Sequence, residues 1–468
     1  MKTRGESRLN IVLAMLLGIG IKGISAIVEI GIQILMTRSI GVNGYGEYTF
    51  FVSLVETAYF ILFSGSIKLN TFYLSSSEVS LKNFKRQYLK KFVLPISIIM
   101  FSIAVLIQNF LYSVAVIILL TYYFAFDKSS TLLSCGHQGI ALLGEYLMGR
   151  LSMLIGLIIL VELNKVDIFL LCILYGIQFI VMLIWFSRFE YKPASCLKDI
   201  QVPVDKLIEF QKSDIANAFI AYAPAILQYI FCSAFTAGFT GILGIIKKII
   251  NFIAGPTAKV FLPECSRLYK NGELEKLKET YIMIVKVQML VIGSAGTLLI
   301  GFPKLVLGFF NSELQQYSNL LVLVSFCLLL IASVGPVTGF LQMTGNEVVC
   351  NRNQWISIAV MFIVFFAMKN DEFFAVYGLC AQAISEGILK YYSLCKWFED
   401  KIVSFSTYIL LWFPTMLIYS FIKISNLESS IYLVIITLLF NFSFNIFIAL
   451  QDTIIKKYIE KYLVKNIA

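Results

Sequence analysis

A chain of 468 residues that is 59% hydrophobic, 15% aromatic and only 14% charged, with a mean hydropathy of +0.83, is not a soluble enzyme. Soluble domains carry about 25% charged residues and about 45–50% apolar ones. The formal net charge of +10 calls for no nucleic-acid partner, because Lys and Arg gather in cytoplasmic loops of membrane proteins and fix their topology. One helix crosses a bilayer with about 20 apolar residues, so the composition predicts an all-α, polytopic membrane protein. In chain order, apolar runs fall at 10–36, 46–70, 91–109, 112–134, 141–162, 167–187, 209–235 and 241–263, then at 279–301, 318–342, 354–368, 373–395, 403–423 and 430–450. That makes about fourteen transmembrane helices. The first run follows MKTRGESRLN with no small-residue cleavage site and reads as an uncleaved span.

With the N-terminus inside, Lys and Arg divide about 24 to 5 between internal and external loops. Basic groups such as Lys82, Lys85, Arg86, Lys90 and Lys91, or Arg267, Lys270, Lys276 and Lys278, fall inside, whereas Arg38, Lys165, Lys304, Lys369 and Lys423 fall outside. Both termini are therefore expected in the cytoplasm, which an even number of spans also requires. The longest loop, 188–208, is basic and partly amphipathic. It predicts an N-terminal lobe over 1–200 (spans one to six and the linker), a C-terminal lobe over 201–401 (spans seven to twelve) and a 402–468 segment with spans thirteen and fourteen and a basic tail.

An internal repeat supports two lobes. Gly41 and Gly44, between spans one and two, match Gly238 and Gly241, between spans seven and eight, at one offset, 238 − 41 = 197. A basic internal loop follows the second span of each half, and a glycine recurs after the fourth (Gly136 and Gly345). Two six-helix bundles in pseudo-twofold repeat are expected to hold a substrate between them and to move by rocking.

Ionisable groups within spans cost about 2.5–3.5 kcal/mol on insertion scales and mark candidate sites. Span one carries Lys22 and Glu29, which seven steps of a helix return to one face. They form either a sealed pair or part of a polar pathway. Gly18, Gly20 and Gly23 surround Lys22 and provide a place to bend. Span eight carries Lys247, Lys248 and Lys259 with Asn251, Gly255 and Pro256 between them. Pro256 is expected to kink the helix, and cations both early and late in one span predict a hydrated cationic cavity. Arg150 lies near Glu145 in span five but on a different face. Asp127 and Lys128 are adjacent in span four and read as a local ion pair, and Glu386 and Lys390 have the i,i+4 spacing of a structural pair. Glu56 sits midway along span two with no obvious local partner.

The nine cysteines are scattered without a CxxC, and the single histidine, His137, cannot build a metal cluster, so no metal or cofactor is expected. No glycine precedes a lysine, which excludes a GK[ST] phosphate loop. External loops are too short for the chemistry of membrane glycosyltransferases and polymerases.

The opening of the chain, Thr37-Arg38-Ser39-Ile40-Gly41 followed by Gly44-Tyr45-Gly46-Glu47-Tyr48, resembles that of bacterial polysaccharide flippases, the Wzx-type O-antigen and capsule repeat-unit transporters. These belong to the multidrug/oligosaccharidyl-lipid/polysaccharide (MOP) exporter superfamily, with the lipid II flippases and the multidrug extrusion antiporters. The resemblance implies a V-shaped pair of lobes in the inner membrane and no enzymatic activity. It implies an oligosaccharide on undecaprenyl diphosphate as cargo, flipped by alternating access for O-antigen, capsule or exopolysaccharide assembly, with a polymerase and chain-length regulator as partners beside the membrane lipids. Lipid II flippases bind the diphosphate through basic residues of their first, second and eighth spans, which Lys22 and Lys247 or Lys248 match for the first and eighth; Lys259, Arg150 and Asn251, polar groups within spans, are expected to join them in binding the diphosphate and glycan. Glu29, Glu56 and Asp127, with Gly18, Gly20, Gly23 and Pro256, would couple or gate. A lipid II-type flippase and a small-molecule antiporter of the extrusion type are the competing expectations.

Overall fold

The computed structural model describes residues 4–67, 79–80, 82–106, 110–134, 137–189, 198–199, 204–244 and 271–399, with scattered positions between 246 and 269 and between 412 and 444. The chain begins with α1 (Arg4–Leu62), 59 residues in length. A straight helix of that length would run about 90 Å, far beyond a hydrocarbon core of about 30 Å. It is instead broken at Gly41, whose φ of 70° and ψ of 174° leave the helical region. Spans one and two therefore meet at a single residue, where the sequence predicts a glycine-rich loop. Glycine takes a positive φ without a Cβ clash, so no longer connection is needed.

Then come β1 (Val79–Ser80), α2 (Lys82–Tyr88), a π-turn (Leu89–Val93) and α3 (Leu94–Leu106). After these follow α4 (Phe110–Ser134), α5 (Gln138–Leu142), a second π-turn (Leu143–Met148), α6 (Gly149–Glu162) and α7 (Ile168–Ser187). Asp167 caps α7, accepting from the Phe169 N–H at 3.1 Å. The two-residue strand β2 (Lys198–Asp199) pairs in parallel with β1, Val79 against Lys198. Next are α8 (Val204–Phe231) and α9 (Ala234–Gly244). The remaining elements are α10 (Leu274–Gly301), α11 (Pro303–Phe310), a 3-10 turn (Ser312–Tyr317), α12 (Ser318–Ala332), α13 (Val337–Met343), α14 (Glu347–Ala367) and α15 (Phe374–Phe398).

Among the described residues, eight helices are long and apolar enough to cross a membrane, and the all-α polytopic class read from the sequence is the one adopted. The chain divides into two compact units, Met1–Ile242 and Leu243–Ala468. In the first, α1 packs along α8 and against α6, while α4 packs on α7. Helix α8 follows the expected lobe boundary at 200/201, yet belongs to the same compact unit as the N-terminal helices.

The glycine repeat lies inside the first unit and is paired in space. A Cβ on Gly46 would lie 1.7 Å from the Ala234 carbonyl oxygen, and one on Gly238 would lie 2.4 Å from that of Val42. The contacts exchange: Gly46 meets Ala234 and Gly238, while Gly238 meets Val42 and Gly46. Gly46 is thus the counterpart of Gly238, at an offset of 192 (238 − 46), five residues from the sequence register. The same offset sets the break at Gly41 against the interruption at Cys232–Ser233. Glycines two or three residues apart in both segments allow several registers on paper, and the backbone contact follows one with a single glycine match.

In the second unit α14 packs on α15, and α12 on α15 and α10. The apolar run 318–342 is broken between α12 and α13 at Gly335, with φ of 88°, and Pro336 supplies no N–H to continue the helix. The fully buried Tyr281 donates to the Val334 carbonyl at 2.9 Å, satisfying an acceptor beside the break. Around it Phe340, Trp397 and Phe398 form an aromatic cluster. The expected pair in α15 is present, with Lys390 Nζ 2.6 Å from Glu386. Asn353 on α14 ties to Ser393 at 2.8 Å.

Candidate functional site

Several of the ionisable side chains that the sequence singles out in the first unit lie along contacts of α1 with its neighbours. Along the first of these contacts, the N-terminal segment of α1 runs parallel to the second π-turn and α6, as two odd-numbered spans must. Lys22 Nζ sits 5.1 Å from the centroid of the Tyr146 ring, a cation–π distance. One turn on, Ser25 Oγ donates to the Tyr146 carbonyl at 2.7 Å. That carbonyl lies at the π-turn, where the helical hydrogen-bond ladder is irregular. Another turn on, Arg150 approaches Glu29 at 3.6 Å, with side chains 28% and 15% exposed. Lys22 and Glu29 share a face of α1, as their spacing predicts, and Arg150 reaches Glu29 from another helix. Arg150 likewise bonds across the seam, and Glu145 accepts from Ser129 Oγ at 2.5 Å.

The second feature centres on Glu56, in the C-terminal segment of α1. Tyr175 on α7 donates to Glu56 Oε1 at 2.6 Å, and Tyr122 on α4 donates to Oε2 at 2.7 Å. Tyr222 on α8 adds a longer bond to Oε2 at 3.2 Å. One carboxylate therefore joins four helices. The Tyr122 ring is itself stacked on Tyr59 at 3.9 Å and on Phe179 at 4.3 Å, and the Tyr175 ring meets Phe179 edge-on. Three phenol donors satisfy the carboxyl oxygens within an apolar span, where an unsatisfied polar group would be costly.

The antiparallel seam of α1 and α8 continues past Glu56. The Gln211 amide donates to the Phe60 and Ile61 carbonyls at 2.5 and 2.6 Å, and its oxygen accepts from the Gly65 N–H at 2.8 Å. These bonds satisfy backbone groups at the frayed end of α1. Asp127, at the far end of α4, pairs with Lys85 at 2.9 Å, and Lys85 also reaches Thr131 at 2.8 Å. The sequence suggests a local Asp127–Lys128 pair; the structure instead draws the cation from α2, while Lys128 is exposed.

Of the sequence candidates, Lys22, Arg150 and Glu29 come together on one seam, with Glu56 and Asp127 on others in the same unit. Gly18, Gly20 and Gly23 have helical backbone, and the break in α1 falls at Gly41 instead. Lys247, Lys248, Asn251, Pro256 and Lys259 lie outside the described residues. Tyr146, Tyr122, Tyr175, Tyr222 and Gln211 were not singled out by the sequence. The available signal was tyrosine in the interior of apolar runs, away from the membrane interfaces where it is usual. Among the described residues no cluster of three or more His, Cys, Asp or Glu could hold a metal.

Solved structures share this architecture. The lipid II flippase MurJ in an inward closed conformation matches with a TM-score of 0.62 at 12% identity, over 94% of this chain and 99% of that one. The MATE multidrug transporter DinF-BH matches with a TM-score of 0.59 at 16% identity, over 86% and 97%. A multidrug resistance MATE family transporter of the MOP superfamily, inward-facing, matches with a TM-score of 0.54 at 11% identity, over 82% and 94%. No protein-family model and no curated protein sequence matches the chain. The chain is a multi-pass membrane protein with the fold of MOP-superfamily transporters.

Proposed function

We propose that the protein is a flippase, and that its cargo is an oligosaccharide repeat unit on undecaprenyl diphosphate, moved from the cytoplasmic to the outer leaflet of the inner membrane. The observation that carries this reading is the pair of half-buried cations, Lys22 and Arg150, on neighbouring rungs of one helix seam in a fold shared with a lipid II flippase. A diphosphate cannot enter a hydrocarbon core unpaired. Lys22 is held over an aromatic face and Arg150 by a long, partly exposed ion pair. Both cations are half-buried on the seam, within reach of a ligand that approaches it, and Arg bonds phosphate oxygens in a bidentate manner. Lys247, Lys248, Lys259 and Asn251 would complete the anion site.

In this reading the head group binds from the cytoplasm and the lobes, 1–200 and 201–401, rock outward. The polyprenyl tail remains in lipid, beside spans thirteen and fourteen. An inside-negative potential favours export of negative charge by about 2.3 kcal/mol per charge per 100 mV, about 4.6 kcal/mol for two. Glu29, Glu56 and Asp127 would couple or gate, with bending at Gly18, Gly20, Gly23 and Pro256. The exported unit would pass to a polymerase and chain-length regulator for O-antigen, capsule or exopolysaccharide assembly.

A second reading, export of organic cations, is favoured by one observation, the Glu56 carboxylate set among tyrosines. Purified protein in vesicles separates the two. The flippase reading expects translocation of lipid-linked oligosaccharide and no accumulation of a cationic dye. Dye transport without lipid-linked sugar transport would replace it.

A further inference from the structure

A basic face at the start of the third span serves neither seam. Helix α2 is pinned from behind. Lys85 is held by Asp127 and Thr131 of α4, and Tyr88 donates to the Leu62 carbonyl at 2.8 Å. The opposite side is exposed. Arg86 and Lys90 recur there at i,i+4 spacing with Lys91 next to them, and past these the helix stays exposed at Phe92, Leu94, Ile98 and Ile99, which flank the buried Val93 and Ser97 into α3. Charge thus gives way to hydrocarbon between Lys91 and Leu94. The π-turn at Leu89–Val93 falls at this change, and π-turns within helices are frequent at functional sites.

Like charges one turn apart disfavour a helix, and the first turn of α2 holds no acidic residue to offset them. Topology alone would be served by lysines in a mobile loop. Here the cations project from a helix and π-turn that Lys85 and Tyr88 tie to the rest of the unit. The pairing of β1 with β2 also sets the backbone of Lys198, from the basic linker, beside Val79, close to the start of α2.

We propose that Arg86, Lys90 and Lys91 form a headgroup site for an anionic phospholipid, whose acyl chains run along Phe92, Leu94, Ile98 and Ile99. The phosphodiester sits at the level where the exposed face changes character, and a basic residue at a charged bilayer surface strengthens binding about fivefold. The site is independent of the transported cargo and occupies the outside of the first unit.

The test uses the full chain in neutral detergent, with native mass spectrometry after titration with phosphatidylglycerol or phosphatidylethanolamine. The native chain is expected to retain phosphatidylglycerol preferentially. The variant Arg86→Gln/Lys90→Gln/Lys91→Gln is expected to lose roughly a hundredfold in that affinity, and Arg86→Lys/Lys90→Arg/Lys91→Arg to keep it. Equal retention of both lipids, or undiminished phosphatidylglycerol binding by the glutamine variant, overturns the proposal. Displacement of phosphatidylglycerol by an equimolar polyprenyl diphosphate also overturns it, assigning the face to a diphosphate lipid. Should the glutamine variant fail to fold, the native chain decides: its phosphatidylglycerol retention must fall as salt is raised.

Discussion

Replacing Glu56 tests the most connected polar group in the first unit. Glu56→Leu removes the acceptor of three phenols and leaves the Tyr122 and Tyr175 hydroxyls in a nearly solvent-free setting, their residues 5% and 2% exposed. An orphaned buried donor costs about 1–3 kcal/mol. Two give about 2–6 kcal/mol on the same basis, and the longer Tyr222 bond adds little. Glu56→Gln keeps an acceptor oxygen, and its NH2 can be accepted by a rotated phenol, so its cost is expected near the values of about 0.6–1.7 kcal/mol found for hydrogen bonds between membrane helices. Tyr175→Phe and Tyr122→Phe fall in that same range, and Tyr222→Phe below it, following the 2.6, 2.7 and 3.2 Å distances. Reversible unfolding in mixed detergent micelles, followed by tryptophan fluorescence, ranks the variants. The reasoning is refuted if Glu56→Leu is as stable as Glu56→Gln, or if Tyr222→Phe costs more than Tyr175→Phe.

Three further outcomes are expected. Gly46→Ala and Gly238→Ala each force a methyl into opposing backbone and should destabilise by about 1–3 kcal/mol in the same unfolding assay. Gly20→Ala meets nothing within 4 Å and should stabilise α1 by up to about 1 kcal/mol; transport that falls while stability rises would mark Gly20 as a hinge. Asp127→Asn removes the Lys85 ion pair, whose side chains are 22% and 26% exposed. After solvent screening the loss should stay within about 1 kcal/mol and shrink as salt is added.

The spans were legible because hydrocarbon demands long apolar runs, and α4, α6, α7, α10 and α15 begin or end within a few residues of theirs. The breaks were harder to read. Gly41 and Gly335 each end a helix by a positive φ, a property that a window of hydropathy averages away. The site was half visible. Charge inside an apolar run singled out Lys22, Glu29, Glu56, Asp127 and Arg150, because burial cost attaches to each residue separately. Their partners were not visible, because Arg150 reaches Glu29 across 121 positions and Glu56 draws its donors from three other helices. Only the i,i+4 pair of Glu386 and Lys390, local in sequence, was read with its partner.

The central claim is that Lys22 and Arg150 receive a phosphorylated lipid head. Translocation of a lipid-linked oligosaccharide by reconstituted protein, compared between the native chain and Lys22→Gln/Arg150→Gln at equal amounts of folded protein, tests it most directly. A hydrogen bond to a charged group is worth about 1.5–3 kcal/mol, so the double variant should lose about tenfold or more for each cation removed. An unchanged rate in the double variant would contradict the account.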